Sequence, residues 1–175
     1  MENRRNNYIL IGMPGVGKST MGVVLAKELG YQFIDTDLLI QQEEKRLLKD
    51  IIAEEGVDGF LAVEERINAC IEAERSVIAT GGSVVYGDRA MRHLKEIGTV
   101  VYLQVSYDNL VKRLGDLRNR GVVLRDGQTL QDIYAERCLL YEKYADITVS
   151  EEGLDLEGTL RELCRRLDGS DQEGR

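Results

Sequence analysis

The chain has 175 residues, of which 43% are hydrophobic and 31% charged, the balance of a globular domain rather than a disordered one. Its 31 acidic and 23 basic residues leave a net charge of −8. That argues against non-specific binding to nucleic acid or to an anionic membrane face, since both require a positive field. A phosphate ligand needs only a few local charges and stays open. No apolar run approaches the roughly 20 residues that span a bilayer, and the N-terminus shows no signal-peptide pattern, so a cytoplasmic location is expected. Cys70, Cys138 and Cys164 are odd in number and have no CxxC spacing; buried free thiols are expected rather than a disulfide or a zinc site. His93, the only histidine, excludes a Ser-His-Asp triad and is expected on the surface.

Strands and helices alternate along the chain. Tyr8-Ile-Leu-Ile11 reads as a doubly buried strand stopped by glycine. Residues 18–29 put Met21, Val24, Leu25 and Leu29 on one helical face that ends at Gly30. Gln32–Asp35 predicts a second strand, and residues 38–54 and 60–74 predict two helices broken near Gly56–Gly59. Ser76–Ala79 predicts a third strand, closed by Gly81-Gly82. A helix over 88–97 precedes the strongest strand, Thr99–Val105. Helix 107–114 leads into a stretch rich in glycine and arginine, Gly115 to Gly127, without clear period. A helix over 129–143, a strand over 147–149 and a helix over 155–167 follow, and the polar tail 168–175 is expected to be disordered. The alternation implies an α/β domain over 1–167, with a parallel sheet covered by helices on both faces.

Gly12-Met-Pro-Gly-Val-Gly-Lys-Ser19 matches GxxxxGK[ST] and lies between a predicted strand and a predicted helix, the context the motif requires. Gly12, Gly15 and Gly17 let the backbone curl so that successive N–H groups, those of Val16 and Thr20 within the same run, face phosphate oxygens. The following helix adds its positive end. Lys18 can reach the β- and γ-phosphates, and the Ser19 hydroxyl can ligate Mg²⁺. The loop predicts ATP binding, and no NKxD or LSGGQ signature points to a GTPase or a transport ATPase. Asp35-Thr-Asp37 follows the second strand, where a parallel sheet faces its ligand crevice. The two carboxylates suit a place near Mg²⁺ and a base for an attacking hydroxyl; the same pattern also serves as a turn or helix cap.

GMPGVGKST, DTD, the strand followed by Gly81-Gly82, and Glu136-Arg137-x-x-Leu-Tyr141 occur in the order and spacing of shikimate kinases, and the chain resembles that family from about residue 8 to 167. The resemblance implies a five-stranded parallel sheet of the nucleoside monophosphate kinase type, an acceptor-binding region near 38–66 and a mobile lid near 115–127. It implies Asp37 as ligand and base for the acceptor hydroxyl, Asp35 in the Mg²⁺ shell, and Gly81 and Gly82 as points where the acceptor meets the backbone. Arg137 is implied as the partner of the acceptor carboxylate, Arg120 as the lid arginine that meets the transferring phosphoryl, and Arg113 as a residue lying against adenine. Arg120 also reads as a solvated loop charge beside Arg118 and Arg125, and Arg137 as a helix-surface charge.

Three departures stand against the resemblance. The family's Phe-Arg pair reads Phe60-Leu61, its triple glycine reads Gly81-Gly82-Ser83, and its Arg-Pro-Leu lid reads Arg120-Gly-Val122. The expected reaction is therefore ATP-dependent phosphorylation of a hydroxyl on a small metabolite, shikimate before all, with a gluconate-like hydroxy acid or polyol as the alternative acceptor. A nucleotide-binding regulatory relative without kinase activity is the reading from another class. The oligomeric state stays open, with a monomer favoured.

Overall fold

The computed structural model describes residues 5–115 and 122–173, the side chains of 170–173 excepted. Strands β1 (Asn7–Ile11), β2 (Gln32–Asp35), β3 (Ser76–Ala79), β4 (Gly98–Gln104) and β5 (Ile147–Ser150) form one sheet in the order β2-β3-β1-β4-β5. Every neighbouring pair is parallel. The connections carry α1 (Lys18–Leu29), α2 (Thr36–Glu44), α3 (Leu48–Asn68), α4 (Asp88–Ile97), α5 (Tyr107–Leu114) and α6 (Leu130–Tyr144), and α7 (Leu156–Glu173) closes the described chain. This is the three-layer arrangement that the alternation predicts.

Ile9, Leu10, Ile11, Val100, Val101 and Leu103 are fully buried, because helices cover both faces of a parallel sheet and leave no solvated side for polar residues. The chain leaves β1 through α1 toward β2, and leaves β3 through α4 toward β4 on the other side of β1. Loops that part in this way open a crevice at the carboxyl ends of the strands.

Two helix boundaries differ from the periodicity. The expected helix 38–54 is interrupted at Lys45, which takes a left-handed conformation (φ 53), and α3 restarts with the Leu48 amide donating to Gln41 Oε1 at 3.2 Å. Arg46 then pairs with Glu44, Glu54 and Glu55. The break carries no glycine or proline, so no backbone stop signal announces it. The expected gap at Gly56–Gly59 is instead a kink within α3, confined to Gly56 (φ 72, ψ −177). At the other end of the chain, α7 runs to Glu173 rather than stopping at 167 before a disordered tail. Leu163 and Leu167 are buried, and ion pairs Arg161–Glu157 and Arg166–Glu162 at i,i+4 support the exposed face.

The expectation of buried thiols also fails, since Cys70 is exposed and Cys138 and Cys164 are half-buried, though all three are free. His93 is not a bare surface residue, because its Nε2 lies 2.7 Å from the carbonyl oxygen of Ile71 and ties α4 to the chain after α3.

Asn7 fastens the start of the central strand. It is fully buried; its Nδ2 donates to the carbonyls of Ala73 and Ile97, both at 2.8 Å, and its Oδ1 accepts from the Ser76 amide at 3.0 Å. Three chain segments therefore converge on one side chain. Asn7→Leu keeps the branched shape, adds volume and strands three buried backbone groups, each costing about 1–3 kcal/mol. The expected result is a loss of about 3 kcal/mol or more in urea unfolding, with the denaturant slope unchanged.

Candidate active site

The loop after β1 curls because glycine permits it. Gly15 (φ 85) and Gly17 (φ 90) occupy left-handed conformations. At Gly12 a side chain would begin 2.7 Å from the Leu103 carbonyl oxygen of β4, so only a bare Cα lets the loop leave β1 that close to its neighbour. Lys18, 7% exposed, folds its ammonium back to donate to the carbonyls of Gly12 at 2.7 Å and Met13 at 2.9 Å. Burial lowers its pKa from 10.5 to about 8, against the opposing pull of Asp37 and, more weakly, of Glu151 and Asp35.

Asp35 is a helix cap, one of the readings its sequence left open, and also meets the phosphate loop. Its Oδ1 caps α2 by accepting from the amides of Asp37 at 3.0 Å and Leu38 at 3.3 Å. Its Oδ2 accepts from the Ser19 hydroxyl at 2.6 Å. Asp37, in the first turn of α2, points into the crevice. Its pKa is raised by burial and by Asp35, and lowered in part by Lys18, which suits a group that must take a proton from an alcohol.

The wall opposite the phosphate loop comes from the β3 end and from α3 and α6. Tyr141 Oη donates to the Gly82 carbonyl at 2.6 Å. A side chain on Gly82 would meet Pro14 at 2.7 Å and the Arg137 guanidinium at 3.1 Å. Arg137 is 2% exposed and therefore no surface charge. Its Nε donates to Tyr86 Oη at 3.4 Å, its Nη2 to the Val123 carbonyl at 3.3 Å, and the guanidinium lies 5.3 Å from the Tyr86 ring centre. Among the described residues it has no carboxylate partner, an open cationic site for an anion.

These groups line one cavity of about 650 Å³, shared by Gly15, Gly17, Lys18, Ser19, Thr20, Asp37, Gly81, Gly82 and Arg137. Gly12 and Val16 shape the loop from beneath, Val16 being buried in the core. Arg113 does not reach the cavity; it pairs with the buried Glu151 and donates to the Val16 carbonyl at 3.4 Å. Arg120, the expected lid arginine, lies outside the described residues, as does Arg118. Arg125 is described and pairs with Asp58 at 2.7 Å, joining the C-terminal part of the expected lid to α3. Leu61 faces a neighbouring cavity of about 90 Å³ with Tyr86, Arg125 and Arg137, so the apolar residue does stand beside the open guanidinium.

Glu64, Ser83 and Lys49 also line the main cavity and were not singled out as site residues by sequence. A signal for Glu64 exists: it interrupts the apolar stripe Phe60, Val63, Ile67 of α3 with a charge. It is 1% exposed and accepts from Ser83 Oγ at 2.6 Å. Burial raises its pKa to about 7; the Ser83 hydrogen bond opposes this, Asp37 adds to it, and Arg137 and Lys18 oppose it.

The sequence profile described as shikimate kinase matches residues 14–168 of the chain. The chain belongs to the shikimate kinase family. A shikimate kinase from Moorella thermoacetica is 36% identical over 164 residues, covering 92% of this chain and 94% of that protein. The shikimate kinase of Acinetobacter baumannii, solved in complex with shikimate, superposes with a TM-score of 0.79 at 28% identity, covering 99% of this chain and 96% of that one. A gluconokinase from Sinorhizobium meliloti, at 18% identity and a TM-score of 0.51, shares the fold alone. The protein is thus a kinase that uses a nucleotide and phosphorylates a small-molecule alcohol, rather than a regulatory relative. Among the described residues no helix is long and apolar enough to cross a membrane.

The burial of Glu64 has a measurable consequence for stability. Its carboxyl binds a proton in the folded protein up to about pH 7 but in the unfolded chain only to about 4.5. Between those values the folded state holds more protons, so this group's contribution to stability is largest below pH 4.5 and declines as pH rises to 7. Glu64→Gln, which cannot ionise, should flatten that decline, read as the urea midpoint across pH 4.5–7.

Proposed function

We propose that the protein transfers the γ-phosphoryl group of ATP to the 3-hydroxyl of shikimate. The observation that carries this reading is a single cavity in which the phosphate loop, the carboxylate of Asp37 and the unpaired guanidinium of Arg137 face one another. Asp37 accepts the proton as the hydroxyl oxygen forms its bond to the γ-phosphorus. The bond from that phosphorus to the bridging oxygen breaks, and ADP carries the charge away. The Lys18 ammonium meets the phosphate oxygens, exchanging two neutral carbonyl partners for anionic ones, which favours its charged form. Arg137 holds the acceptor carboxylate.

Mg²⁺ is part of this reading. Ser19 and Asp35 present hard oxygen donors side by side, and Mg²⁺ takes one or two such protein ligands together with phosphates and water. Among the described residues no cluster of three His, Cys, Asp or Glu side chains could hold a metal by itself, in keeping with a site completed by the nucleotide. Bound there, the ion would neutralise charge on the phosphates. We take residues 38–66 as the acceptor-binding region, 115–127 as the lid, and Arg120 as its phosphoryl-facing arginine. Arg113 is taken to lie beside adenine, next to the loop that its bond to Val16 already touches.

ADP release with shikimate, gluconate and a polyol panel tests the acceptor directly. Turnover with shikimate alone supports the reading, and turnover with gluconate alone replaces it. Lys18→Ala should lower kcat by about a hundredfold or more with the far-UV spectrum unchanged; near-normal turnover would remove the phosphate-loop role.

Leu61 bears on the strength of acceptor binding. A bidentate arginine–carboxylate contact contributes roughly 1.5–3 kcal/mol, or about 10- to 150-fold in affinity. With one guanidinium, Arg137, in place of two, shikimate binds weakly, and Leu61→Arg should lower its KM by about tenfold. A higher KM in that variant would mean that the acceptor presents an apolar or uncharged group at this position.

A further inference from the structure

A second cavity, of about 610 Å³, lies at the edge of the sheet and is nearly as large as the main one. The two cavities share no lining residue. Phe33 and Ile34 of β2 form part of the second, together with Leu38 and Leu39 of α2 and with Ile67 and Ile71 at the end of α3. Asp37 lines the main cavity and Leu38 the second, so the first turn of α2 is the partition between them. Phosphoryl transfer makes no use of this space.

Its surface is apolar where a ligand would lie and acidic around it. Leu38 is 63% exposed, and Phe33, Ile34 and Leu39 are only half-buried, because β2 is the last strand of the sheet and no further strand covers them. A single exposed leucine is ordinary; four apolar residues together in a hollow of this size match a small-molecule site, which spans roughly 300–1,000 Å³. The charges then narrow the choice of ligand. Asp35, Glu43 and Glu72 lie in the wall, the last two of them exposed. Arg66 is the one cation there among the described residues, and it is taken up by Glu44. Glu43 and Glu72 have no ion-pair partner among the described residues. Unmatched negative charge beside an apolar floor complements a cation carried on an apolar body and repels a carboxylate or phosphate.

We propose that this cavity is a second, non-catalytic binding site for a small molecule with a flat apolar body and one protonated amine. The body lies on the apolar residues of β2, α2 and α3, and the amine lies at the acidic rim that includes Glu43 and Glu72. The site stands apart from the phosphate loop and from Arg137, so the inference holds whichever acceptor the kinase uses.

The probe is 2-naphthylmethylamine, with 2-naphthylmethanol as its neutral counterpart and 2-naphthoate as its anionic one, titrated calorimetrically into the full-length chain. The amine should bind saturably and about tenfold tighter than the naphthoate, because the rim attracts one and repels the other. Cys70 locates the bound probe, since it is exposed and lines this cavity. Saturating amine should slow alkylation of Cys70 by iodoacetamide about fivefold, read by peptide mass, and leave Cys164 of α7 unchanged. The double variant Glu43→Gln, Glu72→Gln should bind the amine about fivefold more weakly and the alcohol within about twofold of the wild-type chain, the size expected of exposed charge pairs. Both residues are exposed, and a melting curve confirms that the variant is folded. No saturable binding of the amine at low-millimolar concentration overturns the inference. So does equal affinity for amine and naphthoate, a Cys70 left unprotected at saturation, or a folded double variant that binds the amine as the wild-type chain does.

Discussion

Lys18 carries an ammonium group that is almost completely withdrawn from water and held by two neutral carbonyl oxygens of its own loop. Such a charge is tolerated only where the structure around it is prepared for an anion. That requirement organises the carboxyl edge of the sheet. The loop must curl, so glycines stand at the tight positions, and β4 must pass within contact of Gly12. The carboxylates of the crevice do not cancel the lysine: Asp37 perturbs it through space without forming an ion pair among the described residues.

The same economy of contact appears on the acceptor wall. Gly81 and Gly82 are bare because two carboxyl oxygens crowd the first and Pro14 with Arg137 crowds the second. Tyr141, fully buried between sheet and cavity, holds the Gly82 carbonyl and stacks against Tyr102 of β4 with ring centres 5.1 Å apart. A helix distant in sequence thereby fixes both the Gly82 backbone and, one turn earlier, the Arg137 guanidinium on the same cavity wall. Helices α2 and α3 build a small apolar core of their own from Ile40, Ile51, Phe60, Val63 and Ile67, separate from the main one.

Phosphoryl transfer asks little covalent chemistry of a protein and much positioning. The structure meets that demand with opposite charges kept apart. Among the described residues Lys18 and Arg137 are cations without carboxylate partners, and Asp37 and Glu64 are carboxyl groups whose proton affinity is raised by burial. A chain of net charge −8 thus keeps two buried cations beside one cavity.

The phosphate loop, the five strands and the Asp-x-Asp pair were legible in the sequence because each depends on a short local pattern. Glycines at tight turns, lysine and serine in register, and apolar runs of strand length carry their meaning within a few residues. The break at Lys45 was not legible, since its contacts join side chains of two consecutive helices rather than a glycine or proline stop, nor was the extra turn and a half of α7. Arg137 could be read equally as a surface charge or a ligand, because a guanidinium has the same local signature in both settings; only the packing of α6 against the Gly82 loop buries it. Glu64 was passed over for the same reason. A single charge in an apolar stripe gains its meaning from what stands opposite, and Ser83, Gly81 and Asp37 come from elements that the sheet, not the local chain, brings within hydrogen-bonding range.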